Sequence, residues 1–285
     1  LFYQEFSLRA VPPSQVLPRW PLFVAREGAR LTRFLVALVP EPVPEADPPP
    51  PSTQTHGRPP FAVESFSRPF HEVGGDWFAV EHAGDGSLWV LVADATGHGR
   101  AAHLVAAALP FLWQLPATIQ ARRCNDLLAL LQRLHEELCP VLPEGEHVEA
   151  VLARLAPPPD ASVAVASAGD CGVLRRAAGA YGIRWERIRG SWLGMDLGVN
   201  LPRDQQTWAS AEEDELVLTS DGVLDQALEG GAVRHWLPHQ VVPGGQSLFA
   251  FLVGQLTRAI EQRRPEDDIT LVGVRRVRRP AETSP

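Results

Sequence analysis

Leu88-Trp89-Val90-Leu91-Val92-Ala93-Asp94-Ala95-Thr96-Gly97-His98-Gly99-Arg100 passes from a strand pattern into a helix across one aspartate and two glycines. Leu88–Ala93 is an uninterrupted apolar run of strand length. Arg100–Leu115 is rich in alanine and apolar almost all round, which predicts a largely buried helix. Gly97 and Gly99 allow a tight turn and let the peptide oxygen of Ala95 face a metal. The plain reading of Asp94 is a strand-to-helix turn, with Asp94 or Thr96 as the cap.

Three further aspartates lie at the ends of strand-like runs. Asp76 follows Gly74-Gly75 and begins the run Trp77–His82, where a bulge or turn is the plain reading. Asp221 follows Leu216–Ser220 and precedes a short helix, as an N-cap would. Asp267 and Asp268 precede the final run Ile269–Arg275, where a solvated turn is the plain reading. Strand ends bring distant residues together, and gathered carboxylates repel by roughly 4 kcal/mol per pair at 4 Å and an effective dielectric of 20. A hard divalent cation with a preference for oxygen, Mg²⁺ or Mn²⁺, offsets that repulsion.

Outward from these points, Ala62–Phe66 and the pair Trp77–His82 and Leu88–Ala93 read as strands, with Gly84-Asp85-Gly86 as a hairpin turn. Asn125–Cys139 is a second helix, with Leu127, Leu128, Leu131, Leu134 and Leu138 at helical spacing and Pro140 as its stop. Strands follow at Val148–Leu155, Ser162–Ala166, Gly172–Arg176, Ile183–Ile188, Gln206–Ala209 and Glu215–Thr219, then a helix at Ser247–Arg263. This order predicts an α+β domain in which helices cover a large, mainly antiparallel sheet system. Trp77, Trp89 and Trp113 fall in core patterns.

Residues 41–60 carry eight prolines among polar and acidic residues and read as a linker. Residues 1–40 form an N-terminal segment with strand patterns at Leu1–Ala10 and Arg30–Val39, regulatory or the end of a larger domain. Residues 61–278 form the main domain and 279–285 a tail. The chain starts at Leu1 rather than Met, which leaves an upstream segment open.

The 285 residues are 45% hydrophobic and 21% charged, in the range of ordinary globular proteins. A net charge of −8 argues against nucleic acid as a partner. Lysine is absent, so a lysine nucleophile or a P-loop lysine is excluded. No run of about 18 uninterrupted apolar residues exists, so no membrane-spanning helix is expected. Cys124, Cys139 and Cys171 have no zinc or redox spacing, and buried free thiols in a reducing, cytoplasmic setting are expected.

Several segments in a fixed order resemble the PPM metal-dependent protein serine/threonine phosphatases, in particular their SpoIIE-like bacterial branch. They are Arg68–Phe78, Asp94–Gly99, Ser167-Ala168-Gly169, Leu193-Gly194-Met195, Asp214–Val223 and Asp267–Val272. The resemblance implies a PPM-type β-sandwich of two sheets flanked by helices, in α-β-β-α layers. It further implies two Mn²⁺ or Mg²⁺ ions that Asp76 and Asp94 bridge or flank, the Ala95 carbonyl completing one shell and Asp221 and Asp267 holding the other ion, with Asp268 as the alternative to Asp267. His98 is then the candidate general acid and Arg68 the candidate phosphate-binding arginine. The implied substrate is a phosphorylated regulatory protein such as an anti-sigma-factor antagonist, under control of a regulatory domain or partner. Two positions depart from the pattern: Ala79 stands where a further aspartate is expected, and Asp170 where the family reads histidine. These departures keep open a catalytically attenuated binding or regulatory module on the same fold.

Overall fold

A computed structural model describes residues 51–58, 60–97, 99–143, 145–195, 204–228 and 231–277. The segment 1–40, the first half of the predicted linker, the tail 279–285 and His98 lie outside the described residues. The strands are β1 (Ser52–Arg58), β2 (Phe61–Arg68), β3 (Asp76–His82), β4 (Leu88–Ala95), β5 (Val148–Leu155), β6 (Ser162–Ala168) and β7 (Gly172–Arg176). They continue with β8 (Arg184–Trp185), β9 (Gln205–Ala209), β10 (Glu215–Thr219), β11 (Ala227–Leu228), β12 (Gly231–Ala232) and β13 (Ile269–Arg276). The helices are α1 (Gly99–Trp113), α2 (Pro116–Arg123), α3 (Leu127–Leu138), α4 (Asp221–Asp225), α5 (Val233–Trp236) and α6 (Leu248–Gln262).

Two antiparallel sheets stack face to face. One has the order β3-β4-β5-β6-β9, the other β1-β2-β13-β10-β7-β8. The apolar run of β4 does not alternate because both of its faces are covered. Leu88, Val90 and Val92 enter the core between the sheets with Val151, Val173, Leu218 and Val272. Trp89, Leu91 and Ala93 enter a second core beneath α1 and α3. A third core joins α6 to the outer face of the other sheet through Phe249, Leu252 and Leu256 against Val217 and Leu271. The layering is therefore α-β-β-α.

Local chemistry fixes the helix starts. Asp126 caps α3 by accepting from the Ala129 N–H at 2.9 Å, and Ser247 caps α6 by accepting from the Ala250 N–H at 3.0 Å. Leu127, Leu130, Leu131, Leu134 and Leu138 are the buried stripe of α3. Trp77, Trp89 and Trp113 are buried as expected. Among the described residues no single helix is long and apolar enough to cross a membrane.

Several expectations need correction. The predicted linker 41–60 ends too late, because residues 52–58 form β1 in antiparallel register with β2 from Ser52↔Ser67 to Arg58↔Phe61. The flanking prolines hid a proline-free run that pairs as an edge strand, where proline neighbours are tolerated. The strand at Ile183–Ile188 shrinks to Arg184–Trp185. Of the three cysteines expected to be buried, Cys171 is buried, Cys139 half-buried and Cys124 exposed. Helix α2 is an element that the sequence reading did not anticipate, since it has no strong apolar stripe; Pro116 opens it at a position where a missing N–H costs nothing.

Candidate metal centre

The carboxylates collect at one end of the space between the sheets. On β3 and β4, Asp76 stands directly opposite Asp94. On β5, Glu149 stands opposite Asp94 on its other side, so three acidic residues form a row across the sheet. Their side chains share the face that carries Val92 and Val151 into the inter-sheet core, because side chains alternate along a strand. The facing sheet contributes Asp221 from the end of β10 and Asp267-Asp268 from the start of β13.

Asp94 and Asp76 both feel this crowding. Burial pushes the Asp94 carboxyl well above its ordinary range, with Asp76, a hydrogen bond shared with Asp221, and Asp267 adding to it. Burial also pushes Asp76 well up, followed by the charge of Asp268 and, further down, Asp221; hydrogen bonds from Thr270 and Ser220 oppose the shift. The Ser220 hydroxyl donates to Asp76 Oδ2 at 2.9 Å and accepts from the Thr270 N–H at 3.0 Å. Ser220 occupies the N-cap position of α4, yet its side chain serves Asp76 and not the helix.

Asp267 and Asp268 differ in employment. Asp268 is buried, and its carboxylate accepts from the Phe70 N–H at 2.6 Å and the Gly75 N–H at 2.5 Å. A Cβ on Gly74 would stand 2.8 Å from Asp268 Oδ1, so the glycine pair is shaped around this carboxylate. Asp267 is half-buried, accepts from its neighbour's N–H at 2.8 Å, and is charged against Asp94. Asp268 thus holds the loop before Asp76 while its charge also acts on Asp76, and the charge of Asp267 acts on Asp94.

The turn after Asp94 uses Gly97 and Gly99 at φ +83° and +73°, a left-handed backbone suited to glycine. A Cβ on Gly75 would stand 2.9 Å from the Ala95 carbonyl oxygen, so glycine there keeps the flank of that oxygen open. Gly222 has the same need: its Cβ would meet the Asp268 carbonyl at 2.1 Å. Arg68 ends β2 opposite Ile269, at the same end of the sandwich, and its Nε is enclosed with no hydrogen-bond partner among the described residues. Of the expected residues, Asp76, Asp94, Asp221 and Asp267 are brought together, Ala95 and Arg68 border them, and His98 lies outside the described residues.

The donor set fits a hard divalent cation. Asp76 Oδ1 and Asp221 Oδ1 are enclosed carboxylate oxygens with no hydrogen-bond partner among the described residues. Buried carboxylates in that condition are costly unless a cation or proton joins them. Among the described residues no group of three or more histidine, cysteine or acidic side chains is arranged to hold a metal ion as the chain stands. Asp76, Asp221 and Asp267 lie close enough to Asp94 for their charges to act on its carboxyl.

Sequence reading missed Glu149, Ser220 and Cys171. Cys171 is buried, and burial together with Glu149, Asp94, Asp221 and Asp76 pushes its thiol well up, which places it beneath the cluster. The available signal for Glu149 was a carboxylate between Val148 and Ala150 in an otherwise apolar strand end. Ala79 proves to face away from the centre, buried in the core beneath the helices. A missing aspartate at that position takes no ligand from the cluster.

The family model for stage II sporulation protein E (SpoIIE) matches residues 84–277. Among solved structures, RsbX in complex with magnesium superposes with a TM-score of 0.58 at 15% identity, over 79% of this chain and 99% of that one. The PP2C domain of SiaA from Pseudomonas aeruginosa gives 0.57 at 20% identity, over 75% and 85%. The PP2C phosphatase domain of SpoIIE from Bacillus subtilis, with a fragment of its regulatory domain, gives 0.58 at 15%, over 82% and 66%. At such identities the superpositions establish the fold alone. No curated protein matches the chain. The family match spans well over half of the sequence, so the chain belongs to the SpoIIE-like branch of the PPM-type serine/threonine phosphatases.

Proposed function

We propose that the protein is a Mn²⁺- or Mg²⁺-dependent phosphatase that hydrolyses phosphoserine or phosphothreonine on a regulatory protein. The observation that carries this reading is the pairing of Asp76 with Asp94 close to Asp221 and Asp267, with two enclosed carboxylate oxygens that have no hydrogen-bond partner among the described residues. Asp76 and Asp94, with the Ala95 carbonyl, would hold one ion, and Asp221 and Asp267 the other. Two divalent ions bound there supply hydroxide near neutral pH and offset charge on the phosphoryl group.

The chain's own residues do the remaining work. Ser220 keeps Asp76 turned toward the cluster by its hydrogen bond to Oδ2. Asp268 fixes the Gly74-Gly75 loop and so the entry of β3. Arg68 offers a guanidinium to the phosphoryl oxygens, a stabilisation that grows as charge develops there. His98 gives its proton to the departing serine or threonine oxygen, a role suited to its ordinary pKa range. The substrate would be a phosphorylated signalling protein such as an anti-sigma-factor antagonist, with activity set by the N-terminal region or a partner.

The test is hydrolysis of p-nitrophenyl phosphate and of phosphopeptides with MnCl₂, with chelator, and with Asp94→Asn. Metal-dependent turnover lost in the variant supports the reading. Absence of turnover on both substrates would favour the competing reading, a binding module that keeps the fold.

A further inference from the structure

Beside the carboxylate row, on the side away from Asp76, Glu149 uses both of its oxygens to build a ledge. Its Oε1 accepts from the Trp192 indole Nε1–H at 2.8 Å, and its Oε2 from the Asp170 backbone N–H at 2.6 Å. Burial pushes the Glu149 carboxyl up, but hydrogen bonds from His147, Asp170 and Trp192 outweigh that and hold it below its ordinary range. The His147 ring lies against the Trp192 ring at 4.7 Å between centroids. His147 is itself tied to the turn after Asp94: its N–H donates to Thr96 Oγ1 at 3.0 Å, and its carbonyl accepts from the Thr96 N–H at 3.0 Å and the Thr96 hydroxyl at 2.7 Å.

Among the described residues the ledge is held by hydrogen bonds and open to solvent. Trp192 keeps 39% of its surface exposed although its indole is pinned at one edge and backed by a ring on one side. Asp170 is exposed. A Cβ on Gly169 would stand 2.7 Å from the Glu149 carboxyl, so the backbone before Asp170 lies directly on Glu149. One carboxylate therefore holds an indole and the backbone of an exposed aspartate side by side, one strand from Asp94.

From this geometry we infer that Trp192 and Asp170 select an arginine close in sequence to the phosphorylated residue of the substrate, with Glu149 as the positioning residue. A guanidinium is planar, stacks on an indole face and pairs with a carboxylate at the same time, which an ammonium or an apolar side chain does not. Glu149 and Asp94 are directly opposite on neighbouring strands, where Cα atoms are about 5 Å apart. One or two extended residues, at about 3.3 Å each, span from a phosphate at the centre to the ledge.

The inference rests on the phosphatase reading for its substrate, and the experiment separates the two. Phosphoserine peptides with Arg, Ala or Glu one and two residues from the phosphoserine are compared for KM and kcat, and for binding by fluorescence anisotropy in MnCl₂. Wild-type turnover of p-nitrophenyl phosphate reports on the catalytic reading alone. The expected preference for Arg over Glu is about tenfold, carried by KM and by binding and not by kcat. It falls toward unity in Asp170→Asn and Trp192→Ala, is largely kept in Asp170→Glu, and inverts in Asp170→Arg. Glu149→Gln lowers it while leaving the folded spectrum intact. Equal binding of the Arg and Glu peptides, or a preference that these variants leave unchanged, overturns the inference. A binding preference that holds while neither p-nitrophenyl phosphate nor any phosphopeptide is turned over keeps the ledge and removes the catalytic reading.

Discussion

Asp76 and Asp94 are cross-strand partners, directly opposite on β3 and β4, and burial holds both carboxyls above their ordinary range. Directly opposed like charges destabilise a sheet. The pair is tolerable only when a proton or a cation stands between the partners and the facing Asp221 and Asp267. Stability and metal binding are therefore linked through pH.

The sign follows from proton linkage. Both groups bind protons more tightly in the folded chain than in the unfolded chain, where carboxyls titrate near about 4. Their contribution is favourable at low pH and is lost as pH rises from that value through the raised folded values. In chelator, melting temperature falls as pH rises through that window. With MnCl₂ the loss is reversed, and the metal-induced gain grows with pH; at a hundredfold excess over Kd it amounts to about 2.7 kcal/mol for each site. Thermal melts from pH 5 to 8 with chelator or MnCl₂ check this, and a gain independent of pH would count against the pairing.

Asp267 and Asp268 are expected to separate cleanly. Asp268→Asn turns an amide toward the Phe70 and Gly75 N–H donors and costs about 1–3 kcal/mol of stability. At about 2–4 °C per kcal/mol for a domain of this size, the melting temperature drops by several degrees even in chelator. Asp267→Asn leaves the chelated melt near wild type and weakens Mn²⁺ binding at least about tenfold. Calorimetric titration of Mn²⁺ alongside the melts distinguishes the two.

Ser220→Ala removes the donor that orients Asp76 and the acceptor of the Thr270 N–H. Groups that orient a metal ligand typically contribute about 10–100-fold in affinity or activity, and that loss is expected here. Ser220→Thr keeps the hydroxyl and is expected to restore part of it. Equal defects in both variants would indicate a packing effect.

Much of this was legible in sequence because strand ends are marked by chemistry. Apolar runs ending at Asp94 and Ser220, and one beginning after Asp268, gave the strands, and the Gly74-Gly75 and Gly97–Gly99 turns marked where they stop. Register was not legible. Nothing in the order of residues says that Glu149 stands opposite Asp94, since strand partners are fixed by packing across a sheet. Trp192 was silent for the same reason: its role depends on a hydrogen bond to a strand 43 positions away. The edge strand Ser52–Arg58 was masked by the prolines on both sides of it, and Ala79 looked like a loss to the site only because its face was unknown.

The central claim is that four aspartates hold two divalent ions, and anomalous scattering at the Mn edge from crystals grown in MnCl₂ tests it most directly. Two peaks are predicted, both within ligand distance of carboxylates from the set Asp76, Asp94, Asp221 and Asp267, with one near the Ala95 carbonyl. Peaks elsewhere, or none at saturating MnCl₂, would contradict it.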